Sequence, residues 1–318
     1  MKKKITLLSK ETLTQKLPLS ESAKNTIHTS QQELNDIITG KSNKKILIIG
    51  PCSADFEESL YEYATFLSEI QKEVEDKIKI VMRFYTGKPR TVGWKLQNSR
   101  PEEPDLIAGI EDARKIAINI IEKYSLPIAD ELLHPQLIEH IDVYSYFAIA
   151  RSSENQFHRE VASGLDFPIF KNPTSGDITT MVNSVQSINP SVYVIDDAYE
   201  TTNKYCHSIL RINSNYDLES IKKAYFENKK RNIMYPIIID TNHDNSRKQF
   251  EKQIDIMQEV MYAVSDDQEL RGFVKFMVES YLYDRQDFSE NIQKLSLTDP
   301  CIKEKTKQFI MNLYTLIK

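Results

Sequence analysis

Eight short apolar runs alternate with segments of helical periodicity, and this alternation restricts the possible folds more than any other feature of the chain. The runs are Lys45–Gly50, Ile78–Tyr85, Leu126–Asp130, Tyr144–Arg151, Phe167–Lys171, His207–Arg211, Pro236–Asp240 and Val274–Glu279. Each has the length of a strand buried on both faces. Helical patterns fall at Glu57–Val74, Asp105–Tyr124, Pro135–His140, Ile178–Ile188, Asp217–Lys229, Ser246–Val264 and Lys303–Ile317. Alternating strands and helices imply a parallel sheet with right-handed crossovers. Eight such units predict a (β/α)8 TIM barrel, and 318 residues is an ordinary length for one.

The C-terminal ends of the runs carry the reactive side chains. Cys52, Arg83 with Lys88, Glu131, Arg151, Lys171, Arg211, His243 and Glu279 lie just inside or just past them. In a barrel these ends form one mouth, where catalytic groups gather. The segment Arg83–Thr91 places Arg83, Lys88, Arg90 and the hydroxyl of Thr91 on a loop stiffened by Pro89. Guanidinium forks and a lysine point charge are suited to phosphate and carboxylate. With Arg151, Lys171 and Arg211 on the same mouth, they predict a substrate with more than one anionic group. Cys52, His243, Glu279 and Asp299 would supply one sulfur, one imidazole nitrogen and two carboxylates. That set suits a borderline divalent ion such as Mn, Fe, Co or Zn. Taken singly, each residue has a plainer reading: Cys52 as a small buried side chain, an arginine at a strand end as a snorkelling surface group.

Residues 1–44 precede the first run and contain one helical pattern, Glu21–Thr39, which predicts an N-terminal helical arm on a single barrel domain, 45–318. The stretch Val192–Cys206 predicts an inserted β-hairpin before the sixth strand. A net charge of -5 argues against a nucleic-acid footprint over the whole surface. No stretch approaches the length of a membrane span, and the N-terminus lacks the apolar core of a signal peptide. Three cysteines do not make a disulfide framework, so a reducing cytoplasm is expected.

Several blocks together resemble the type I 3-deoxy-D-arabino-heptulosonate 7-phosphate (DAHP) synthases, in their microbial, feedback-regulated branch. They are GPCS (50–53), MRFYTGKPRTVGWK (82–95), ARSSENQFHREVASGL (150–165), FKN (170–172), CHSILR (206–211), IDTNHDNSRKQF (239–250), MVES (277–280) and TDPCI (298–302). The resemblance runs from about Leu17 to the C-terminus. It implies a 3-deoxy-7-phosphoheptulonate synthase, a transferase that condenses phosphoenolpyruvate with erythrose 4-phosphate to DAHP and phosphate, the first step of the shikimate pathway. It implies Cys52, His243, Glu279 and Asp299 as ligands of one divalent metal ion. Arg83, Lys88, Arg151, Lys171 and Arg211 fall at the phosphoenolpyruvate site, and Lys88-Pro89-Arg90-Thr91 at the erythrose 4-phosphate site. Glu131 falls near the reacting water, and Lys88, Glu131 and His243 are the implied catalytic groups. A homodimer or homotetramer is implied as well.

The chain departs from the family where glycines are expected. Ile149-Ala150-Arg151 stands for Gly-Ala-Arg, Ile212-Asn213 follows Arg211 in place of two glycines, and the loop after Arg90 is one threonine short. These departures leave two alternatives: the same chemistry on a different aldose phosphate, or a non-catalytic regulatory relative. Retention of every implied charged ligand favours the enzyme.

Overall fold

The computed structural model describes residues 6–54, 56–86, 106–135, 142–149, 153–165, 167–171, 173–189, 191–194, 198–201, 203–283, 296, 299–303 and 305–317. Ten strands are assigned among them: β1 (Lys45–Gly50), β2 (Ile78–Arg83), β3 (Ile128–Glu131), β4 (Tyr146–Ile149), β5 (Pro168–Lys171), β6 (Ser191–Val194), β7 (Ala198–Thr201), β8 (His207–Leu210), β9 (Ile237–Asp240) and β10 (Val274–Glu279). Eight of them close into a parallel barrel in the order β1-β10-β9-β8-β5-β4-β3-β2. The other two, β6 and β7, form the antiparallel hairpin expected before the sixth barrel strand, with Ser191 opposite Thr201.

Every predicted run holds a barrel strand; four strands end with their run, β3 goes one residue past it, and three stop one or two residues short. β2 ends at Arg83 rather than Tyr85, and β8 at Leu210 rather than Arg211. The last residues leave the ladder to enter the mouth. The helices are α1 (Lys10–Lys16), α2 (Glu21–Ile38), α3 (Glu57–Val74), α4 (Leu106–Tyr124), α5 (Gln156–Ala162), α6 (Ile178–Gln186), α7 (Leu218–Lys230), α8 (Gln253–Ala263), α9 (Gln268–Phe273) and α10 (Lys305–Leu316). The helix expected from Ser246 begins only at Gln253, after a 3-10 turn at Phe250–Lys252. Arg247 and Lys248 both have positive φ, which a helix does not allow. Three short helices, α1, α5 and α9, add to the expected set; Ser9, Asn155 and Asp267 cap them by accepting from the backbone N–H of Thr12, His158 and Leu270. Most of the helix expected at Pro135–His140 lies outside the described residues.

Side chains in a strand alternate between faces, so a closed barrel sorts them into an outer and an inner set. Leu47, Ile49, Ile80, Met82, Phe276 and Val278 join the cluster shared with the helices. Ile46, Ile48, Val81, Ala129, Tyr146, Ala148, Ile169, Ile209, Ile238 and Met277 form a separate apolar cluster with a member from each of the eight strands. This is the filled interior. Leu34, Ile37 and Ile38 of α2 belong to the same cluster. The arm helix is therefore a plug at the N-terminal end of the barrel. Its amphipathic spacing supplies the apolar side, and Ser20 caps its start by accepting from the N–H of Ala23. Glu33 pins it from the polar side, with carboxylate oxygens 2.7 Å from both Lys44 and Lys79.

The fully buried Leu34 side chain gives the plug a measurable weight. Leu34→Ala is expected to cost about 2–5 kcal/mol, as a large-to-small core change does. Urea unfolding of the two proteins checks this, and an unchanged midpoint would show that α2 does not contribute to the core.

Candidate active site

The barrel's period-two pattern places the reactive residues one layer above the apolar interior. Two residues beyond Ile48, Val81, Ala129, Ile169, Ile209, Ile238 and Met277 stand Gly50, Arg83, Glu131, Lys171, Arg211, Asp240 and Glu279. Their side chains share one inner face and one mouth. Arg83, Glu131, Lys171, Asp240 and Glu279 are all buried. Neighbouring strands come very close here. A Cβ on Gly50 would lie 2.6 Å from the backbone oxygen of Arg83, so only glycine fits at the end of β1.

Four donors converge at this level. One ligand atom each from Cys52, His243, Glu279 and Asp299 can be chosen so that all lie within 4.8 Å of one another. Cys52 follows β1 in a turn; its Sγ lies 3.6 Å from Asp299 Oδ2, and its N–H donates to Cys301 Sγ at 3.4 Å. His243 has a φ of 51°, in the left-handed region, at the head of the β9–α8 loop. Asn245 fixes that loop by donating from Nδ2 to the carbonyls of Leu210 at 3.1 Å and Asp240 at 2.8 Å. The imidazole Nδ1 is 2.8 Å from Asp240 Oδ2 and Nε2 is 3.0 Å from Glu279 Oε1. At neither nitrogen do the angles meet hydrogen-bond geometry, so both keep bonding capacity deep in the protein. Burial and Arg211 oppose a charge on this ring, but Asp240 and Glu279 outweigh them and push its pKa up to about 10. A divalent cation would satisfy the same attraction that the proton does. The donor set, its convergence and the unsatisfied ring nitrogens all fit a metal ion.

Glu279 is held from every side. Its Oε1 accepts from Arg83 at 2.9 Å and its Oε2 from Asn242 Nδ2 at 2.7 Å. The Gln253 side chain receives the Glu279 N–H at 2.9 Å and donates to its C=O at 2.8 Å. Such fixing orients a ligand before any ion arrives. The Arg83 guanidinium also donates to Pro51 O at 3.3 Å and stacks 3.9 Å over the Tyr85 ring. Burial opposes its charge, but Tyr85, Glu279 and Cys52 more than offset that and raise its pKa. Arg211 lies 3.2 Å from Asp240, and its pKa is raised too, because Asp240, Glu131 and Glu279 overcome the effect of burial.

The described mouth thus brings together Cys52, Arg83, Glu131, Lys171, Arg211, His243, Glu279 and Asp299 in one region. Lys88, Pro89, Arg90, Thr91 and Arg151 lie outside the described residues. Ile212-Asn213, in place of two glycines, is accommodated: Asn213 has a φ of 59°, a conformation asparagine tolerates better than most residues. The sequence reading missed Asp240, Asn242, Gln253 and Asp130. Asp240 was open to notice, as a carboxylate ending an otherwise apolar run. Gln253 was not, because a glutamine on a helix face carries no local sign of its partner.

Asp130 braces the exit of β2. It accepts from the Thr86 N–H at 3.2 Å, the Thr86 hydroxyl at 2.9 Å and the Glu131 N–H at 2.7 Å. Burial nevertheless pushes its pKa up to about 7.

A model of the DAHP synthetase I family matches residues 18–312 of the chain. The Phe-sensitive phospho-2-dehydro-3-deoxyheptonate aldolase of Escherichia coli K12 is 32% identical over 98% of this chain and 95% of its own length. The corresponding aldolase of Haemophilus influenzae is 34% identical over 91% of this chain and 85% of its own length. The solved structure of phospho-2-dehydro-3-deoxyheptonate aldolase from Francisella tularensis SCHU S4 superposes with a TM-score of 0.90 at 29% identity, covering 100% of this chain and 98% of that one.

Two outcomes are expected. Gly50→Ala should destabilise the protein by about 1–3 kcal/mol through overpacking against Arg83, read by denaturant unfolding. For Asp130 the raised pKa sets the sign: the folded state holds its proton more tightly, so stability falls as pH rises from about 4 to about 7 and is level above. Comparing the urea midpoints of wild type and Asp130→Asn at pH 5 and pH 8 checks this; the variant should lose less across that interval.

Proposed function

The chain belongs to the DAHP synthetase I family, and from that premise we propose that its mouth carries out the family's condensation of phosphoenolpyruvate with erythrose 4-phosphate, giving DAHP and phosphate, with the residue roles below. The observation that carries the assignment is the convergence of Cys52, His243, Glu279 and Asp299 beside the buried Arg83, which pairs with Glu279. Cys52, His243, Glu279 and Asp299 hold one divalent ion; the mixed sulfur, nitrogen and oxygen set suits Mn, Fe, Co or Zn. When bound, that ion supplies Lewis-acid polarisation of the aldehyde oxygen.

Arg83, Lys171 and Arg211, joined by Lys88 and Arg151, hold the phosphate and carboxylate of phosphoenolpyruvate. Their fixed positive charge places the enol carbon against the aldehyde and stabilises charge on the departing phosphate. Lys88-Pro89-Arg90-Thr91 receives the phosphate of the aldose. Glu131, buried on the same inner face, takes a proton from water adding to C2. Lys88 moves a proton between the two substrates. The four bonds that fix Glu279 keep its carboxylate oriented through the cycle.

We further propose residues 1–44 as an arm on a single catalytic barrel, 45–318, acting in the cytoplasm as a homodimer or homotetramer, without nucleic-acid or membrane partners. Three free cysteines and the net charge of -5 support this, and among the described residues no helix is long and apolar enough to cross a membrane.

Phosphate release from phosphoenolpyruvate tests the reaction. After chelation, release should stop; with added manganese it should return only when erythrose 4-phosphate is present. Release that needs neither aldose nor metal would overturn the assignment. Lys171→Met should raise the KM for phosphoenolpyruvate by about tenfold or more while the KM for erythrose 4-phosphate changes little; steady-state kinetics in both substrates separates the two.

A further inference from the structure

The opposite end of the barrel holds a second group of charges that this chemistry does not use. Lys275 lies on β10 four residues before Glu279, on the same face, so the two are about 13 Å apart at about 3.3 Å per residue. Lys275 is 2% exposed, and its Nζ donates to the carbonyls of Lys44 at 3.1 Å and Gly272 at 2.9 Å. Lys45, on the neighbouring strand, is equally buried and donates to the carbonyls of Val274 at 2.8 Å and of Arg271. Among the described residues the hydrogen-bond partners of both lysines are backbone carbonyls. Two adjacent buried ammonium groups without a counter-ion are costly. An ammonium has three N–H donors, and Lys275 uses two.

Lys275 also lines a half-open pocket of about 180 Å³. Ile37 and Ile38 of the plug, Tyr225, Met234 and Phe273 are its apolar lining, and Thr39, Ser42 and Asn43 add polar groups. Its volume is of the order of the roughly 150 Å³ that holds a benzene ring. Glu269 also lines it and disfavours a guest with more than one negative charge. We propose that this cavity binds a small organic monocarboxylate, its carboxylate on Lys275 Nζ and its hydrocarbon body against Ile37, Ile38, Tyr225 and Phe273.

Proton uptake accompanies that binding. Burial brings Lys275 down to about 7. The groups facing it are Lys45, held low by burial, Lys275 itself and Arg271; His207, lowered to about 4 mainly by burial; and Glu269. Only the ammonium form pairs with a carboxylate, so affinity falls about tenfold per pH unit above 7. No such fall is expected well below pH 7, where Lys275 is already charged.

Calorimetry and thermal melts of the full chain test the site with benzoate, butyrate, benzamide and inorganic phosphate at pH 6.5 and 8.5. Benzoate or butyrate should raise Tm at pH 6.5 and bind about 20- to 30-fold more weakly at pH 8.5. Benzamide should do neither. Lys275→Met should fold and lose the response. Gly272→Leu provides a second check, since a Cβ there meets nothing within 4 Å and the side chain can fill the space; it should lose the response as well. No shift with either carboxylate, an equal shift with phosphate, or an unchanged response in Lys275→Met would each overturn the proposal. None of these readouts depends on turnover.

Discussion

Closure of a parallel ladder around eight strands turns alternate side chains into one shaft, and the rest of the molecule follows from how that shaft is filled. Its middle layer is apolar, contributed by all eight strands, and is the part that hydrophobic burial stabilises. One step up each strand the same geometry delivers Arg83, Glu131, Lys171, Asp240 and Glu279 to a common level. No long loop is needed to bring them together; the strand period does it. The cost of crowding charges there is met by pairing: Arg83 with Glu279 and Arg211 with Asp240. A buried pair of this kind adds little net stability but is costly to break on one side. Each such residue is therefore held in place by its partner as well as by its strand.

The candidate metal cluster illustrates how rigidity is distributed. Glu279 rests on a strand and is bonded at both carboxylate oxygens and both backbone groups, whereas Cys52, His243 and Asp299 come from turns and loops. The loop ligands are secured by other means. Cys52 is tied to Cys301 through its N–H, and the His243 loop is pinned to Leu210 and Asp240 by Asn245. The left-handed backbone at His243 is affordable because these bonds over-determine it.

Much of this was legible in the sequence, and the limits have physical causes. The eight apolar runs predicted the barrel because buried parallel strands read as continuous apolar stretches. The hairpin before the sixth strand and the helix of the arm were likewise visible. The arm's role as a plug was not, since the spacing of Leu34, Ile37 and Ile38 shows an apolar face but not what it covers. The candidate donors Cys52, His243, Glu279 and Asp299 were suggested by their places at strand ends and loops, and the family resemblance joined them into one set; their separation along the chain exceeds any short metal motif. Gln253 and Asn242 stayed hidden because their partners are distant in sequence. Asn213 was read as the loss of a glycine; in the structure it adopts the left-handed conformation, which asparagine tolerates better than most residues.

The plug also decides how the site exchanges its contents. With Leu34, Ile37 and Ile38 packed into the lower end and an apolar layer above them, the shaft is a blind well. Reactants and products share a single opening. Whatever lies deepest must arrive first and leave last, so the depth of the well itself imposes an order of traffic.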